Sequence, residues 1–338
     1  MRSFRWGSIG TKLLAVVMVA TVGSLAGCGG GSGTSTAQKE TISAQKETTA
    51  VDAEEELPLS EERYGARVHP GCPKRDRPPD DLNLGLDEWE SPEIAGVSMA
   101  AERGDFADVG LEVNTFVSEA PMVLIPYVVE GVDDIGVSHE PEVLLAKKAG
   151  APIVIIGTLV SQPTAALIWL RKSKIGGIAG LKGKTIGISG LPYQEELLKK
   201  MLAKGGLTRR DVTVKIVRYE LVSELVSGHV DAIFGRRNLQ GPELEARGLK
   251  PVITPVQALG IPSYDELVLI ARADCVSKRP QVFRRFMSAL ARGTAAAVKD
   301  PNGIAHAVRA GEEPNPEIGR RAMRFQIEAT LPLLSGSR

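Results

Sequence analysis

A histidine and a carboxylate stand side by side where an apolar run gives way to a helical pattern. His139 and Glu140 lie within "DIGVSHEPEVLLAKKAG", residues 134–150. Imidazole beside carboxylate is typical of a metal site or an acid–base pair. The segment begins like the H-E-x-x-H motif of zinc proteases, but Val143 occupies the place of the second histidine. Because Pro141 fits the first turn of a helix and not its interior, Ser138 and His139 are predicted to lie at a strand-to-helix junction.

This position favours binding over catalysis. In open α/β sheets, ligands bind beyond the carboxyl ends of strands, and free N–H groups at a helix start can receive acceptor atoms. His139 can donate or accept a hydrogen bond there. A purely structural role for these side chains, in capping and packing, stays open.

Two further strand ends, and the approach to a later strand, carry side chains suited to a ligand. Tyr193 and Glu195 follow the strand "TIGIS", and the Tyr193 ring can stack on a planar ligand. The segment "FGRRNLQG" offers two guanidinium groups and the amide of Asn238. Tyr264 precedes the strand "DELVLIA". Each segment also has a structural explanation, since acidic residues stabilise helix starts and charged loops are commonly solvated turns.

Several classes of function are disfavoured. "GLKGKT", residues 180–185, ends like a phosphate-binding loop, but a strand follows it where a helix is needed. Lys+Arg and Asp+Glu balance at 41 each, and no basic run carries interleaved aromatic residues, so we expect no nucleic-acid partner. No Cys/His cluster has the spacing of zinc ligands, and we expect no cofactor.

The first residues resemble a bacterial lipoprotein signal. Arg2 and Arg5 precede the apolar stretch "LLAVVMVATVGSLAG", which is short for a membrane span of about 20 residues. Small residues then lead to Cys28, which we expect to carry a lipid after cleavage of residues 1–27. An uncleaved anchor or ordinary secretion is the alternative. In each case the folded part would lie outside the cytoplasm, and with the lipid it would be anchored on the extracytoplasmic face of the cell membrane.

The stretch after Cys28 is polar, repeats "AQKET" and then turns acidic. Such a composition cannot bury enough apolar surface to offset the entropy of ordering, so residues 28–80 are predicted to form a disordered tether. Cys72 and Cys275 are the two remaining cysteines. In an oxidising compartment they could form a disulfide, a hypothesis that rests only on location and even number.

From about Leu82 onward, strand-like runs of 5–6 residues alternate with helical patterns of 10–15. This alternation predicts mostly parallel sheets, and more than 250 residues of it suggest two of them. The alternation of strands and helices begins again after a Gly-rich break near residue 175, and we expect "DELVLIA" to return the chain to the first sheet. We therefore predict one lobe from residues 81–168 and 272–338, a second from 169–271, and a hinged cleft between them.

These segments resemble solute-binding lipoproteins of ABC importers, of the thiamine-pyrimidine-precursor type within the nitrate/sulfonate/taurine-binding superfamily. The stretches that carry the resemblance are "AAERGDFADVGLEV", "DDIGVSHEPEVLLAKKAGAPIVIIGTLVSQPTAALIWL", "IAGLKGKTIGISGLPYQEELLKKML", "SGHVDAIFG" and "GIPSYDELVLIA". The resemblance implies a type II periplasmic-binding-protein fold, with two α/β lobes joined by two crossing strands. It also implies a small-molecule solute, permease and ATPase partners, contact with the membrane only through the lipid, and no catalysis. We expect a monomer.

The resemblance places a set of residues at the cleft: Asp87, Trp89, Ser138, His139, Gln162, Ser189, Tyr193, Glu195, Asn238 and Tyr264. Two family motifs are altered. The first loop reads "LDEWESPEI" where the family pattern is L-D-W-x-P-N-x-x-H, and Arg237-Asn238-Leu239-Gln240 replaces aromatic-Asn-x-Glu. A thiamine pyrimidine precursor or similar heterocycle is the expected ligand.

Three alternatives remain. Arg236 and Arg237 would suit a sulfonate, nitrate or other small anion. Some fungal relatives make the pyrimidine with a cysteine-rich cluster and a lysine-bound cofactor, but this chain has no such cluster. A sensory or scaffold lipoprotein that no longer transports is the third.

Overall fold

A computed structural model describes residues 72, 80–86, 91–118, 123–310 and 319–334. The predicted signal segment, Cys28, almost all of the tether, Asp87 and Trp89 lie outside these residues. Within the described part of the chain, no helix is both long and apolar enough to cross a lipid bilayer.

Strands and helices alternate through most of the described chain. The strands are β1 (Asp80–Leu86), β2 (Leu111–Val117), β3 (Ile135–Ser138), β4 (Ile153–Val160), β5 (Ala165–Leu170), β6 (Thr185–Ile188), β7 (Thr213–Ile216), β8 (Ala232–Arg236), β9 (Pro251–Pro255) and β10 (Leu267–Arg272). The helices are α1 (Ala95–Glu102), α2 (Leu124–Glu130), α3 (Glu140–Lys148), α4 (Pro192–Ala203), α5 (Leu221–Ser227), α6 (Gln240–Ala246), α7 (Ala273–Lys278), α8 (Pro280–Lys299), α9 (Pro301–Ala310) and α10 (Arg320–Thr330).

The strands form two five-stranded sheets. The first has the order β2-β1-β3-β10-β4, and the second has the order β7-β6-β8-β5-β9. In each sheet four strands run in the same direction and one is reversed: β10 in the first and β5 in the second. Each reversed strand is the first strand that the chain forms after it crosses from the other sheet. The prediction of mostly parallel sheets is therefore confirmed, with one reversed strand in each.

Each sheet is covered by helices on both faces. Around the first sheet, α1, α8 and α9 bury side chains such as Phe286 on one face, and α2 and α3 bury Val128 and Val143 on the other. Around the second, α4 covers one face and α5 and α6 the other. We call these layered units lobe one and lobe two. Burial at about 25 cal/mol per Å² of apolar surface makes these four layers the main source of stability.

Two segments join the lobes. Residues 161–164 lead from β4 to β5, and residues 260–266 lead from the turn after β9 to β10. The predicted fold class, two α/β lobes joined by two crossing strands, is confirmed. The lobe boundaries at residues 168 and 271 stay a prediction. The first falls inside β5, which lies wholly in the second sheet, and the second falls inside β10, which lies wholly in the first.

The disulfide that the sequence left open is present. Cys72 and Cys275 are bonded, with their Cα atoms 5.0 Å apart and a sequence separation of 203. Cys275 is buried in α7, so the bond fastens Cys72 to lobe one. Cross-links that close long loops typically stabilise a fold by about 2–4 kcal/mol.

The described residues after β10 are largely helical, but α8 and α9 are separate helices. Between them Asp300 has non-helical backbone angles (φ −129°, ψ 81°). The cause is Pro301, because a residue before proline avoids the helical region.

Candidate functional site

The junction between β3 and α3 places a histidine in the interior of the protein. β3 is buried throughout and ends at Ser138, which is itself buried and opposite Val268 in the sheet. His139 follows with extended backbone angles as the N-cap of α3, and Pro141 lies in the first turn. The predicted strand-to-helix junction is thus confirmed. The His139 side chain is only 4% exposed.

Glu266 holds this histidine and both crossing segments. His139 Nδ1 lies 3.0 Å from Glu266 Oε1 and 3.1 Å from the Glu266 carbonyl oxygen. Glu266 Oε2 accepts hydrogen bonds from the backbone N–H groups of Thr164 at 2.5 Å and Ala165 at 2.9 Å. Tyr264 donates its hydroxyl to the same oxygen at 3.5 Å. The fully buried carboxylate of Glu266, at the end of the second crossing segment, therefore hydrogen-bonds the end of the first.

The environment keeps this carboxylate ionised. Burial alone would raise the pKa of Glu266, but the hydrogen bond and charge of His139, the Thr164 N–H and the Arg236 guanidinium hold it below its ordinary value. The pKa of Tyr264 shifts in the opposite direction to that of Glu266, because burial and the nearby Glu266 charge raise the pKa of the Tyr264 hydroxyl. Tyr264 therefore stays a neutral donor.

The start of α4 brings lobe two to the same histidine. Tyr193 lies in the first turn, is 3% exposed, and its ring centroid is 5.0 Å from that of His139 at an angle of 38°. Burial, followed by the charge of Glu266, raises the pKa of Tyr193 well above its ordinary value. Its backbone N–H, one of the donors that a helix start leaves unpaired, bonds Glu142 Oε2 of α3 at 3.3 Å. A carboxyl of lobe one thus caps a helix of lobe two.

A second buried cluster joins the lobes at Glu93. This residue lies in the 3₁₀ turn Pro92–Ile94 of lobe one and is 1% exposed. Its two carboxylate oxygens accept from Arg236 Nη1 at 2.6 Å and from Asn238 Nδ2 at 2.8 Å, both in lobe two. Asn238 Nδ2 also donates to Thr330 Oγ1 of α10 at 2.9 Å. Nearby, Gln326 of α10 donates to the Leu239 carbonyl at 3.1 Å.

The expected site residues divide into distinct groups. His139, Tyr193 and Tyr264 meet around Glu266, next to buried Ser138, and Asn238 lies in the Glu93 cluster. Glu195 is elsewhere, since its carboxylate pairs with Arg209 at 3.3 Å. Gln162 lies half-buried in the first crossing segment, and Ser189 is half-buried after β6. The contact of each residue with a ligand stays a prediction.

Residue-by-residue reading missed the carboxyls that organise both clusters. Glu93, Glu142 and Glu266 are all buried, and each binds a group of the other lobe or the other crossing segment. Glu93 and Glu142 lie at helix starts, where an acidic residue already has a local explanation. Glu266 carried a usable signal, because it is a charged residue directly before the fully apolar stretch "LVLIA".

The described residues contain no group of three or more His, Cys, Asp or Glu side chains able to hold one metal ion. The polar atoms of the two clusters hydrogen-bond the lobes and the crossing segments to each other.

The architecture is that of the periplasmic-binding proteins. The alkanesulfonate-binding protein SsuA from Xanthomonas axonopodis pv. citri superposes with a TM-score of 0.60 at 19% identity, over 77% of this chain and 86% of that chain. A protein from Bordetella bronchiseptica superposes with a TM-score of 0.65 at 20% identity, over 77% and 85%. At these identities the likeness is one of fold.

Within this fold the chain belongs to the NMT1/THI5-like family, whose model matches residues 91–304. A Haemophilus influenzae protein named as a thiamine biosynthesis protein is 29% identical over 255 residues, 75% of this chain and 80% of that protein. The formylaminopyrimidine-binding protein of Halalkalibacterium halodurans is 32% identical over 206 residues, 60% of this chain and 62% of its own length. A Uromyces fabae relative named 4-amino-5-hydroxymethyl-2-methylpyrimidine phosphate synthase is 27% identical over 235 residues, 66% and 69%. The family resemblance predicted from the sequence is confirmed.

Proposed function

We propose that this protein is the extracytoplasmic solute-binding component of an ABC importer. It captures a small heterocycle of the thiamine-pyrimidine-precursor type between its lobes and delivers it to a permease. The observation that carries the proposal is the meeting of His139, Tyr193 and Asn238 with buried carboxyls where lobe one and lobe two converge.

The chemistry of these groups suits an aminopyrimidine. A flat ring can stack on the Tyr193 and His139 rings, whose tilted contact already forms an aromatic surface. Ring nitrogens and exocyclic amino groups need donors and acceptors, which His139 and Asn238 provide. The name of the Halalkalibacterium halodurans relative, a formylaminopyrimidine-binding protein, supports this class of ligand.

The proposed location and partners follow from the N-terminal sequence. Cys28 would carry the lipid, the residues between Cys28 and the disulfide at Cys72 would form the tether, and the lobes would act as a monomer on the outer face of the cell membrane. Capture rather than turnover is proposed because hydrogen bonds between the lobes suit closure around a solute, and the Halalkalibacterium halodurans relative is named a binding protein. The fungal relatives named as synthases make turnover the outcome to test.

Isothermal titration calorimetry of the purified mature protein tests the proposal. Formylaminopyrimidine and hydroxymethylpyrimidine should bind, and product analysis should show both ligands unchanged after prolonged incubation. His139→Gln should weaken binding at least about tenfold, because a directed hydrogen bond is worth about 0.5–1.5 kcal/mol and a ring contact is lost with it.

His229→Gln is the matched control. His229 is exposed on lobe two, where it contacts Glu224 and Ser227, so its replacement should leave affinity unchanged. If neither pyrimidine binds the folded wild-type protein, the proposed ligand class is wrong. Conversion of either pyrimidine would overturn the binding role in favour of an enzyme.

A further inference from the structure

We propose that Glu93 is a specificity-determining residue. It excludes small anions such as sulfonates from the interlobe cleft and reserves the cleft for neutral or cationic solutes that donate hydrogen bonds. This inference rests on the proposed solute-binding function, which it deepens by stating which charge the solute carries.

The first support is the occupation of Arg236 by a carboxylate of the protein itself. An anion-binding site needs a guanidinium with open donors. Here Arg236 Nη1 donates to Glu93 Oε2 at 2.6 Å, with the guanidinium 11% and the carboxylate 0% exposed. Glu93 is held in this place by its turn, where Pro92 precedes it and Ser91 Oγ accepts its backbone N–H at 3.3 Å.

The second support is the balance of buried charge around Tyr193. Glu142 Oε2 accepts the Tyr193 N–H at 3.3 Å, and the Tyr193 ring contacts His139, which lies 3.0 Å from the Glu266 carboxylate. With Glu93, three buried carboxyls share this region with one buried guanidinium, that of Arg236, and with the His139 imidazole. The carboxylates outnumber the cations even when His139 is protonated, so an incoming anion would meet like charge at short range.

The neighbouring Arg237 does not change this balance. Its backbone N–H donates to the Thr164 carbonyl at 2.7 Å, and its Nε donates to the Pro163 carbonyl at 3.4 Å. These contacts tie the residue to the first crossing segment. The pair of arginines that the sequence offers to an anion is therefore engaged with a carboxylate and with carbonyl oxygens.

The third support comes from a buried amide oxygen in the Glu93 cluster. Asn238 Oδ1 is fully buried and lacks a hydrogen-bond partner among the described residues. An amide oxygen only accepts, and leaving it buried without a donor is unfavourable. A solute bearing N–H groups would supply that donor, whereas a sulfonate, which only accepts, would not.

Calorimetry with ethanesulfonate and with uncharged dimethyl sulfone tests the inference on the full mature chain. Glu93→Gln keeps the size of the side chain and removes its charge. It should bind ethanesulfonate at least about tenfold more tightly than wild type, with little change for dimethyl sulfone. Equal ethanesulfonate affinity in wild type and a folded Glu93→Gln variant would overturn the inference.

Glu243→Gln is the matched control, because it also removes a buried carboxylate from a Glu–Arg pair. Glu243 Oε1 pairs with Arg247, the residue after α6, at 2.7 Å instead of with Arg236. This variant should bind ethanesulfonate as weakly as wild type does. A gain in Glu243→Gln equal to that in Glu93→Gln would show that net charge, and not Glu93, sets the preference.

A second measurement needs no variant and covers the case in which Glu93→Gln does not fold. Wild type should bind pyrimidine-4-carboxamide at least about tenfold more tightly than pyrimidine-4-carboxylate, and equal affinities would overturn the inference. Failure of the proposed function is distinguishable, because it appears as no binding of formylaminopyrimidine by wild type. The ethanesulfonate comparison between variants is independent of that result.

Discussion

Glu266 shows how a single residue can define the connection between two lobes. Its carboxylate is completely buried, which is costly for an ion unless every oxygen is hydrogen-bonded. Both oxygens are bonded here, to His139 on one side and to the N–H groups of Thr164 and Ala165 on the other. Because Thr164 ends the first crossing segment, Ala165 begins β5 and Glu266 ends the second crossing segment, the residue fixes the spacing of the two segments.

Replacing Glu266 should therefore destabilise the protein in proportion to the bonds lost. Glu266→Ala should lower the free energy of unfolding in urea by about 3–5 kcal/mol, because two buried N–H groups lose their acceptor. Glu266→Gln should cost about 1–3 kcal/mol, since its remaining oxygen can still accept from the backbone. Exposed Glu245→Ala, the control, should stay within about 0.5 kcal/mol of wild type.

The pH dependence of this effect has a definite sign. The pKa of Glu266 is lowered in the folded protein, so its charge stabilises the fold above the unfolded pKa. That contribution is lost as pH falls below roughly 4.3, the ordinary value for glutamate. The gap between wild type and Glu266→Gln should narrow on acidification, and a constant gap would contradict this assignment.

Asp133 is a buried acid with the opposite behaviour. Burial, and then the charge of Asp134, raises the pKa of Asp133 to about 6. The folded state thus favours the protonated form, and stability is lost as pH rises from about 4 through 6. Asp133→Asn should raise the free energy of unfolding at pH 7 by about 1–3 kcal/mol and give no gain below pH 4.

Thermal unfolding of Asp133→Asn at pH 3.5 and pH 7 checks this prediction. Asp108→Asn removes a charge at an exposed position and controls for the change in net charge. An equal gain at both pH values would show that the effect comes from packing and not from ionisation.

At the scale of elements, α1 and α8 approach each other through glycine. A Cβ atom on Gly293 of α8 would meet the Ala100 nitrogen at 2.7 Å and the Gly96 carbonyl oxygen. These are backbone atoms of α1, so the contact cannot be relieved by a side-chain rotation. The absence of a side chain at residue 293 therefore sets the distance between the two helices.

Gly293→Ala should lower the free energy of unfolding by about 1–3 kcal/mol, as overpacking in a core does. Helix propensity alone would raise the free energy of unfolding by about 1 kcal/mol, so the effects of propensity and overpacking have opposite signs. Gly303→Ala in α9 is the control, because its added methyl group would meet only the side chains of Asp300 and Met99. A stabilising Gly293→Ala would show that the helices can separate without cost.

The elements themselves were largely predictable from the sequence. The short apolar run "TAALIWL", for example, is typical of a buried strand and forms most of β5. The short helix α7 leaves no such signal, since its polar sequence "ADCVSK" directly continues the strand pattern of β10. His139 and Tyr193 were candidates because both follow strands, and their rings are in contact. Glu93 was missed because its partner Arg236 is 143 residues away, and such pairs leave no local pattern.

At the scale of the whole molecule, the polar contacts between the lobes fall into two sets. One set lies at the crossing segments, where Glu266 binds Thr164 and Ala165. The other is made directly from lobe to lobe and includes the bonds of Glu142 to the Tyr193 N–H, of Glu93 to Asn238, and of the Ser118 carbonyl to the Tyr219 hydroxyl at 3.2 Å. Rotation of one lobe about the crossing segments would break the second set and preserve the first.

A solute that contacts both lobes should shift the population towards the arrangement in which the second set is formed. The Tyr193 and Thr164 amides report on the two sets separately, because each N–H donates to a carboxyl across the boundary. Amide hydrogen exchange, resolved by NMR, should therefore slow at Tyr193 when formylaminopyrimidine is added and remain unchanged at Thr164.

The Val217 amide is the internal control, since it donates to the Ile188 carbonyl within lobe two. Slowing of all three amides by the same factor would indicate general stabilisation by the ligand, which any bound solute produces by mass action. Slower hydrogen exchange at Thr164 alone would show that the ligand changes the crossing segments and not the contacts between the lobes. Selective slowing at Tyr193 would require rotation of rigid lobes, because only that motion changes the Glu142 contact while leaving Glu266 in place.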